Sequence, residues 1–289
     1  MTRFLDVRLW PVGGNLASSV AIYQGTDIGN YQSLDPAQLL HDIQGRHVLI
    51  ATHGFNVDRA NGIACLSNWE GLLQLPSPSI FVGLLWPGDS IWLHGLDYPQ
   101  EPRVADDAGQ LIGPFLDAHF GGAASISLAS HSLGARVLLA TVSNMNLAVR
   151  RAIIMAGAID DDCFNTEFQA AAAKIGEISI LASTRDTVLE WAFPLGNLAG
   201  GILTAGHPWW HEAVGRGGPA NPKPGNLLAP FEIPDNWNFD HGDYLKVDSP
   251  PPTPPIAPPR DVPPDGSPLP AGQGWQEAWT AAFASTRFR

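Results

Sequence analysis

The chain has 289 residues, 45% of them hydrophobic, which is enough for one large core. Its 16 lysines and arginines against 28 aspartates and glutamates give a net charge of −12. Because phosphate contacts need basic side chains, this balance excludes a nucleic-acid-binding protein. No apolar run reaches the roughly 18 residues of a membrane-spanning helix. Asp6 comes too early for a signal-peptide segment, so we expect a cytoplasmic protein, with signal-less export left open.

Short β-rich runs alternate with longer segments along the first two thirds of the chain. Two early runs, Phe4 to Trp10 and Ser18 to Tyr23, are typical of an antiparallel sheet edge. Five nearly continuous apolar runs follow, separated by segments long enough for crossover helices. They are Val48–Thr52, Ile80–Leu85, Ser125–Ala129, Ala152–Ala156 and Ile178–Ala182. This pattern predicts an α/β fold with a mostly parallel central sheet and helices on both faces.

Three segments between these runs are predicted to be helical. One begins near Ala105 and ends by Gly122, and an alanine-rich one covers Phe164 to Ile175. The clearest runs from Leu133 to Met145 and is apolar on almost all sides, which is typical of a buried helix.

The composition changes along the chain and predicts three parts. Residues 1–248 form the catalytic-size domain, within which 187–226 fit neither helical nor strand period and are a candidate cap. Residues 249–274 hold 11 of the 26 prolines and are predicted to be an extended linker or strap. In residues 275–289, Trp275, Trp279 and Phe283 form an apolar stripe at helical spacing, which predicts a C-terminal amphipathic helix.

The junction between a predicted strand and the buried helix carries the main chemical signal. It reads Ser130-His131-Ser132-Leu133-Gly134, close to the G-x-S-x-G nucleophile elbow of α/β-hydrolases, with Ser130 in place of the first glycine. Small residues on both sides of the central serine let strand and helix approach each other. Ser132 is therefore the predicted nucleophile, at a helix N-terminus that favours negative charge. His131 is expected to pack beside the nucleophile and not to act as the base.

An earlier loop supplies the second element of an acyl-transfer site. His53-Gly54-Phe55-Asn56 follows the run Val48–Thr52. In the elbow arrangement, one oxyanion-hole N–H comes from this loop and the other from the residue after the nucleophile. Phe55 and Leu133 are the predicted donors, and His53 is expected to orient the loop.

The acid must follow the nucleophile along the chain, at the end of a later strand. Asp186 comes just after the run Ile178–Ala182 and is the predicted acid. The rival cluster is Asp160, Asp161 and Asp162, after the preceding strand. Three acids in a row are more typical of a solvated loop or a helix N-terminus.

The base must be a histidine beyond the acid. His241 lies in a polar loop after Phe231–Pro234, a run that could continue from the last strand, and is the predicted base. His207 and His211 lie within the candidate cap. Their spacing would suit a metal pair on a helix, but the glutamate of H-E-x-x-H is absent, so we predict no metal site.

Together these motifs resemble the α/β-hydrolase superfamily, most closely a bacterial branch of unknown function. The similarity covers roughly Val48 to Leu245. The matching segments are His53-Gly54-Phe55-Asn56, Trp86-Pro87, Ser132-Leu133-Gly134-Ala135-Arg136-Val137, Ala156 to Asp160, Asp186, and His241-Gly242-Asp243-Tyr244. The resemblance implies Ser132, Asp186 and His241 as a catalytic triad, in agreement with chain order.

The expected activity is cleavage of a carboxylic ester, of a small molecule or a lipid, through an acyl-enzyme and without a cofactor. Trp86, Trp209 and Trp210 are predicted to line an apolar substrate pocket. An amidase, thioesterase or peptidase on the same scaffold is an alternative, as is a catalytically silent protein used for binding. The sequence predicts no oligomeric state.

Overall fold

The computed structural model describes most of the first 244 residues. The described parts are 1–9, 15–73, 75, 77–89, 101–191, 211–228, 231–233, 235 and 239–244. Trp209, Trp210, residues 192–210 of the candidate cap, the proline-rich stretch and the predicted C-terminal helix lie outside them. The division into domain, linker and terminal helix therefore stays a prediction.

A mostly parallel sheet runs through the described residues. Its strands are β1 (Thr2–Arg8), β2 (Leu16–Gly25), β3 (Gln32–Ser33), β4 (His47–Thr52), β5 (Ser79–Leu85), β6 (Ser125–His131), β7 (Val149–Met155), β8 (Ile175–Ala182) and β9 (Phe231–Glu232). Their order is β3-β2-β1-β5-β4-β6-β7-β8-β9. β1, β2 and β3 pair antiparallel and form one edge, and all other pairs are parallel. This confirms the predicted sheet and its antiparallel edge.

The helices agree less closely with the sequence pattern. They are α1 (Pro36–Ile43), α2 (Arg59–Leu72), α3 (Glu101–His119), α4 (Gly134–Ser143), α5 (Gln169–Lys174) and α6 (Val214–Gly217). α3 and the buried α4 are confirmed. The alanine-rich helix is shorter than predicted, because turns occupy residues 161–168 and Ile175 already belongs to β8. No pattern predicted α1 or α2.

Helices cover both faces of the sheet, as close contacts at two glycines show. A Cβ at Gly83 in β5 would lie 3.2 Å from Leu66 of α2, and one at Gly134 in α4 would lie 3.0 Å from the methyl of Thr52 in β4. Thr52 pairs with Leu84, the neighbour of Gly83. Because successive strand residues face opposite sides, α2 and α4 lie on opposite faces.

The buried helix α4 is fixed by a second helix on its own face. A Cβ at Gly109 of α3 would overlap Ala140 of α4, so the two backbones touch closely there. Arg136 of α4 also pairs with Asp106 of α3 at 2.9 Å and with Glu167 at 2.9 Å. The helix that follows the predicted nucleophile is therefore held along its length.

Beyond β8 the described chain returns twice to the sheet. Ala213 bridges to Asp160 after β7, and Leu227 bridges in parallel to Ile178 of β8. These contacts anchor both ends of the described segment 211–228, whose residues 211–226 belong to the candidate cap at 187–226. In the part of the chain that the structure describes, no helix is both long and apolar enough to cross a membrane.

Candidate active site

The predicted nucleophile lies in a strained turn at the carboxyl end of β6, near the middle of the sheet. Ser132 has φ of +53°, in the left-handed region that non-glycine residues rarely adopt. Its N–H donates to Met155 O at 2.9 Å, and its carbonyl accepts from Ala158 N at 3.2 Å. The end of β7 therefore holds the strained backbone in place, which is how such a conformation persists.

Small residues around this turn are required by the space available. A Cβ at Gly134 would overlap the carbonyl oxygen of His53, so helix and loop meet backbone to backbone. Ser130, which replaces the usual first glycine, is fully buried, with its Oγ 3.5 Å from Ile153 O of the neighbouring strand. The replacement is accommodated between β6 and β7 without opening the turn.

The three predicted triad residues lie together although they are far apart in sequence. His241 Nε2 is 2.8 Å from Ser132 Oγ, and His241 Nδ1 is 2.8 Å from Asp186 Oδ2. A carboxylate only accepts, so Nδ1 carries the proton and Nε2 is free to accept from the serine hydroxyl. The chain of contacts is that of a nucleophile, a base and an orienting acid.

Asp186 divides its two carboxylate oxygens between two tasks. It is fully buried just beyond β8, and Oδ2 faces His241. Oδ1 accepts from Leu189 N at 2.8 Å, so it caps the helical turn at 187–191. Of the rival acids, Asp161 is instead 2.7 Å from His211 Nδ1.

His241 begins a short 3₁₀ helix, His241–Tyr244, which side chains tie to the end of β8. Ser183 Oγ donates to Phe239 O at 2.6 Å. Asp240 accepts from Thr187 N at 2.9 Å and from His241 N at 2.8 Å. Burial raises the pKa of Asp240, but these backbone donors outweigh it and hold the pKa below its ordinary value. The Asp240 carboxylate is therefore ionised, and its hydrogen bonds hold the loop that carries His241.

The predicted oxyanion donors stand on either side of the nucleophile. Leu133 follows Ser132 with helical angles, directly before α4. On the other side, a Cβ at Gly54 would lie 2.7 Å from Ser132 Cβ, so the loop that carries Phe55 passes against the serine. Asn56 has φ of +58° and its N–H donates to Gly88 O at 2.6 Å, which fixes the far end of that loop.

Two aromatic rings pack against the loop that carries Phe55, which we call the oxyanion loop (residues 53–57) after its predicted role. His53 is fully buried, donates from Nδ1 to Gly54 O at 2.9 Å, and stacks on Trp86 at 5.8 Å between ring centroids. Trp86 is also fully buried, and its Nε1 donates to His53 O at 2.9 Å. Trp86 therefore supports the loop, and its assignment to a substrate pocket stays a prediction.

Sequence reasoning missed the residue that joins this loop to the next one. The buried side chain of Arg8 in β1 donates to Val57 O at 2.9 Å and to Trp86 O at 3.0 Å, and it pairs with Asp89. An arginine inside a run expected to be part of an antiparallel sheet edge was the available signal. Its partners could not be predicted, because they come from loops at least 49 residues away.

Among the described residues, one group brings three potential metal ligands together, namely Asp161, Asp162 and His211. His211 Nδ1 lies 2.7 Å from Asp161, a hydrogen-bond distance, and Nε2 lies 3.7 Å from Asp162. Burial lowers the pKa of His211, but the hydrogen bond to Asp161 and the nearby acids raise the pKa by more than burial lowers it. The pKa of His211 is therefore above its ordinary value. The contacts fit an imidazolium between two carboxylates.

The chain has an α/β-hydrolase fold, which is defined by the strand order of the sheet, the strained serine turn after β6 and the crossover helices. A family model described as "Alpha/beta hydrolase of unknown function (DUF900)" matches residues 35–199, and the chain belongs to this family. The matched span includes Ser132 and Asp186 and ends before His241.

Two solved structures that are similar to this chain are of proteins named as esterases. One is an esterase of Pyrobaculum calidifontis, with 11% identity, 76% of each chain covered and a TM-score of 0.36. The other is carboxyl esterase 2 of the mycorrhizal fungus Tuber melanosporum, with 12% identity, 85% of this chain and 84% of that chain covered, and a TM-score of 0.38. No curated protein sequence matches this chain. The family assignment thus gives the class of protein without a substrate.

Proposed function

We propose that the protein is a serine hydrolase that cleaves carboxylic esters through an acyl-enzyme. The observation that carries this proposal is the continuous chain from Ser132 Oγ through His241 to the buried Asp186, with 2.8 Å at both contacts. A serine hydroxyl is a weak nucleophile on its own and needs an adjacent base, which in turn needs an orienting group. The arrangement of Ser132, His241 and Asp186, with Ser132 at a strained strand-to-helix turn, supports this proposal.

In the proposed reaction, His241 Nε2 takes the proton of Ser132 as Oγ attacks the ester carbonyl. Asp186 stabilises the imidazolium and holds its tautomer. The N–H groups of Phe55 and Leu133 bind the oxyanion, and each such donor is worth about 3–4 kcal/mol in the transition state. His241 then protonates the leaving alcohol.

The second half of the reaction returns the enzyme to its starting state. Water attacks the acyl-enzyme, His241 accepts a proton from that water, and the carboxylic acid leaves as Ser132 recovers its proton. No step in this mechanism needs a cofactor. Phe55 is half-buried and follows Gly54 in the loop that passes against Ser132, and this apolar residue supports a short or medium acyl chain, with lipid esters as a variant.

A substrate panel tests the proposal. Purified protein is assayed with p-nitrophenyl esters from acetyl to dodecanoyl, with thioesters of the same acyl groups, and with p-nitroanilides. We expect turnover of the esters with a maximum at short or medium chain length. Turnover of thioesters or anilides alone would replace the ester assignment with the corresponding class.

The matched variants are Ser132→Ala and Ser130→Ala. The first removes the proposed nucleophile and is expected to lower kcat by about a millionfold. The second removes a buried hydroxyl two residues away that contacts the neighbouring strand, and activity should be retained. Equal activity of both variants would contradict the nucleophile assignment.

A further inference from the structure

One histidine beside the proposed triad is not used by the mechanism. His131 ends β6 directly before Ser132, and its Nε2 lies 2.9 Å from the backbone carbonyl oxygen of His241. The two imidazole rings lie 4.8 Å apart between centroids. The same ring also reaches the oxyanion loop, because a Cβ at Gly54 would lie 3.2 Å from His131 Nδ1. The side chain of His131 therefore contacts His241 and approaches Gly54 in the loop that carries Phe55, and His131 directly precedes Ser132 in the chain.

The contact with His241 fixes the protonation state of this ring. A carbonyl oxygen only accepts, so Nε2 of His131 carries the proton. Burial, followed by the neighbouring His241, lowers the pKa of His131 from 6.5 to about 3. The ring is therefore neutral near neutral pH, with one donor aimed at the base. It does not compete with His241 for the serine proton.

The hydrogen bond between His131 and His241 joins two residues that are far apart in sequence. His131 and His241 are 110 positions apart, and this hydrogen bond joins the central strand β6 directly to the peripheral 3₁₀ helix that carries the base. The other fastenings of that helix, from Ser183 and Asp240, connect it to the end of β8. The bond from His131 is the one of these that ties the base to the strand carrying the nucleophile.

We propose that His131 is a positioning residue, which holds the backbone of His241 so that Nε2 stays within reach of Ser132 Oγ. This inference rests on the proposed serine-hydrolase function. It assigns the ring no proton transfer and no contact with substrate. Since the bond acts on the alignment of the base, its loss should lower kcat and leave KM nearly unchanged.

The test uses three substitutions of His131 in the full chain. Gln places an amide N–H near the position of Nε2, Asn places one near Nδ1, and Leu offers no donor. We expect His131→Leu and His131→Asn to lower kcat about tenfold, the effect of one lost hydrogen bond, and His131→Gln to recover most of it. The same order is expected for the rate of Ser132 labelling by a fluorophosphonate.

The outcomes separate this inference from the proposed function. If the wild type does not react with the fluorophosphonate, the serine-hydrolase proposal fails. If the wild type reacts and Leu, Asn and Gln variants react equally fast, only the positioning role fails. Thermal unfolding is recorded for each variant. Should His131→Leu not fold, the Gln and Asn pair, of similar polarity, decides: equal kcat values for these two would overturn the inference.

Discussion

The nucleophile and the acid–base pair of the candidate site are held by different means. Ser132 lies near the centre of the sheet, where two glycines allow close packing: Gly134 against the His53 carbonyl, and Gly54 against Ser132 Cβ. His241 lies in the 3₁₀ helix His241–Tyr244, which follows β9 in the chain and is held by side-chain hydrogen bonds from Ser183 and to Asp240. Close backbone packing leaves no room for change, whereas hydrogen bonds can be lost one at a time. The two halves should therefore respond differently to substitution.

The largest effect expected from the acid–base half follows the loss of the charge on Asp186. Asp186→Asn keeps an oxygen for Leu189 N, so the cap can persist, but the amide faces His241 Nδ1 with a donor or a neutral oxygen. The imidazole then loses its tautomer and its counter-charge, and kcat should fall about ten-thousandfold.

The matched control is the rival acid from the preceding strand. Asp160→Asn, assayed with the same ester, should keep activity near that of the wild type. Full activity of Asp186→Asn together with loss in Asp160→Asn would reverse the assignment of the acid.

Substitutions near Ser132 should lower stability and activity through steric overlap. In Gly134→Ala the new Cβ overlaps the His53 carbonyl and lies 3.0 Å from the Thr52 methyl, so helix and loop must separate. We expect a loss of about 1–3 kcal/mol in the free energy of unfolding, and a fall in kcat because the loop carrying Phe55 shifts. Urea unfolding and steady-state kinetics measure both.

A second glycine serves as the control for this substitution. Gly121 has nothing within 4 Å of its Cβ position and lies in a turn between α3 and β6. Gly121→Ala should leave both stability and kcat close to wild type. An unchanged Gly134→Ala variant would show that the backbone contact is looser than described.

Acid should lower the stability of the nucleophile side through two imidazoles, the buried His53 and the half-buried His131. Burial, followed by the charge of Arg8, lowers the pKa of His53 from 6.5 to about 3, and burial lowers that of His131 to about 3. The unfolded chain therefore binds more protons than the native one between these values, so stability falls as pH drops from 6.5 towards 3.

This pH dependence is measured as the free energy of unfolding in urea across that range. His131→Gln should lose less stability on acidification than the wild type. Parallel curves for wild type and His131→Gln would contradict a neutral His131 in the folded protein.

The smallest expected effect on kcat follows the loss of one hydrogen bond that holds the loop carrying His241. Ser183→Ala removes the hydroxyl that donates to Phe239 O, while Asp240 still holds the loop. We expect kcat to fall at most about tenfold, with KM unchanged. Ser143→Ala, which removes a similar bond to Leu139 O within α4, is the control and should not alter kcat. A loss as large as that of Asp186→Asn would mean that the loop has no other support.

The same contrast explains how much the sequence could predict. The turn at Ser132 was predictable because its strand, its small residues and its buried helix are contiguous. Asp186 and His241 followed from chain order, without their contacts. Arg8, Ser183 and the donor role of His131 were not predictable, because their partners lie 49 to 110 residues away and meet only in the folded chain.

Helix prediction failed for a local reason. α2 (Arg59–Leu72) mixes small, polar and apolar residues around its circumference, so no single apolar stripe marks it. Close backbone contact explains part of this composition: a Cβ at Gly62 would lie 2.8 Å from Leu85 of β5. The alanine-rich helix was placed too long because alanine favours helix in isolation, while pairing with β7 draws Ile175 into β8.

We propose that Ser132 is a nucleophile activated by His241 and Asp186. Labelling of the folded protein by a fluorophosphonate, with the modified residue located by peptide mass spectrometry, tests this directly. We expect one label, on Ser132, that is absent in Ser132→Ala, slowed strongly in Asp186→Asn, and retained in Ser130→Ala. No labelling of folded wild-type protein, or a label on another serine, would contradict it.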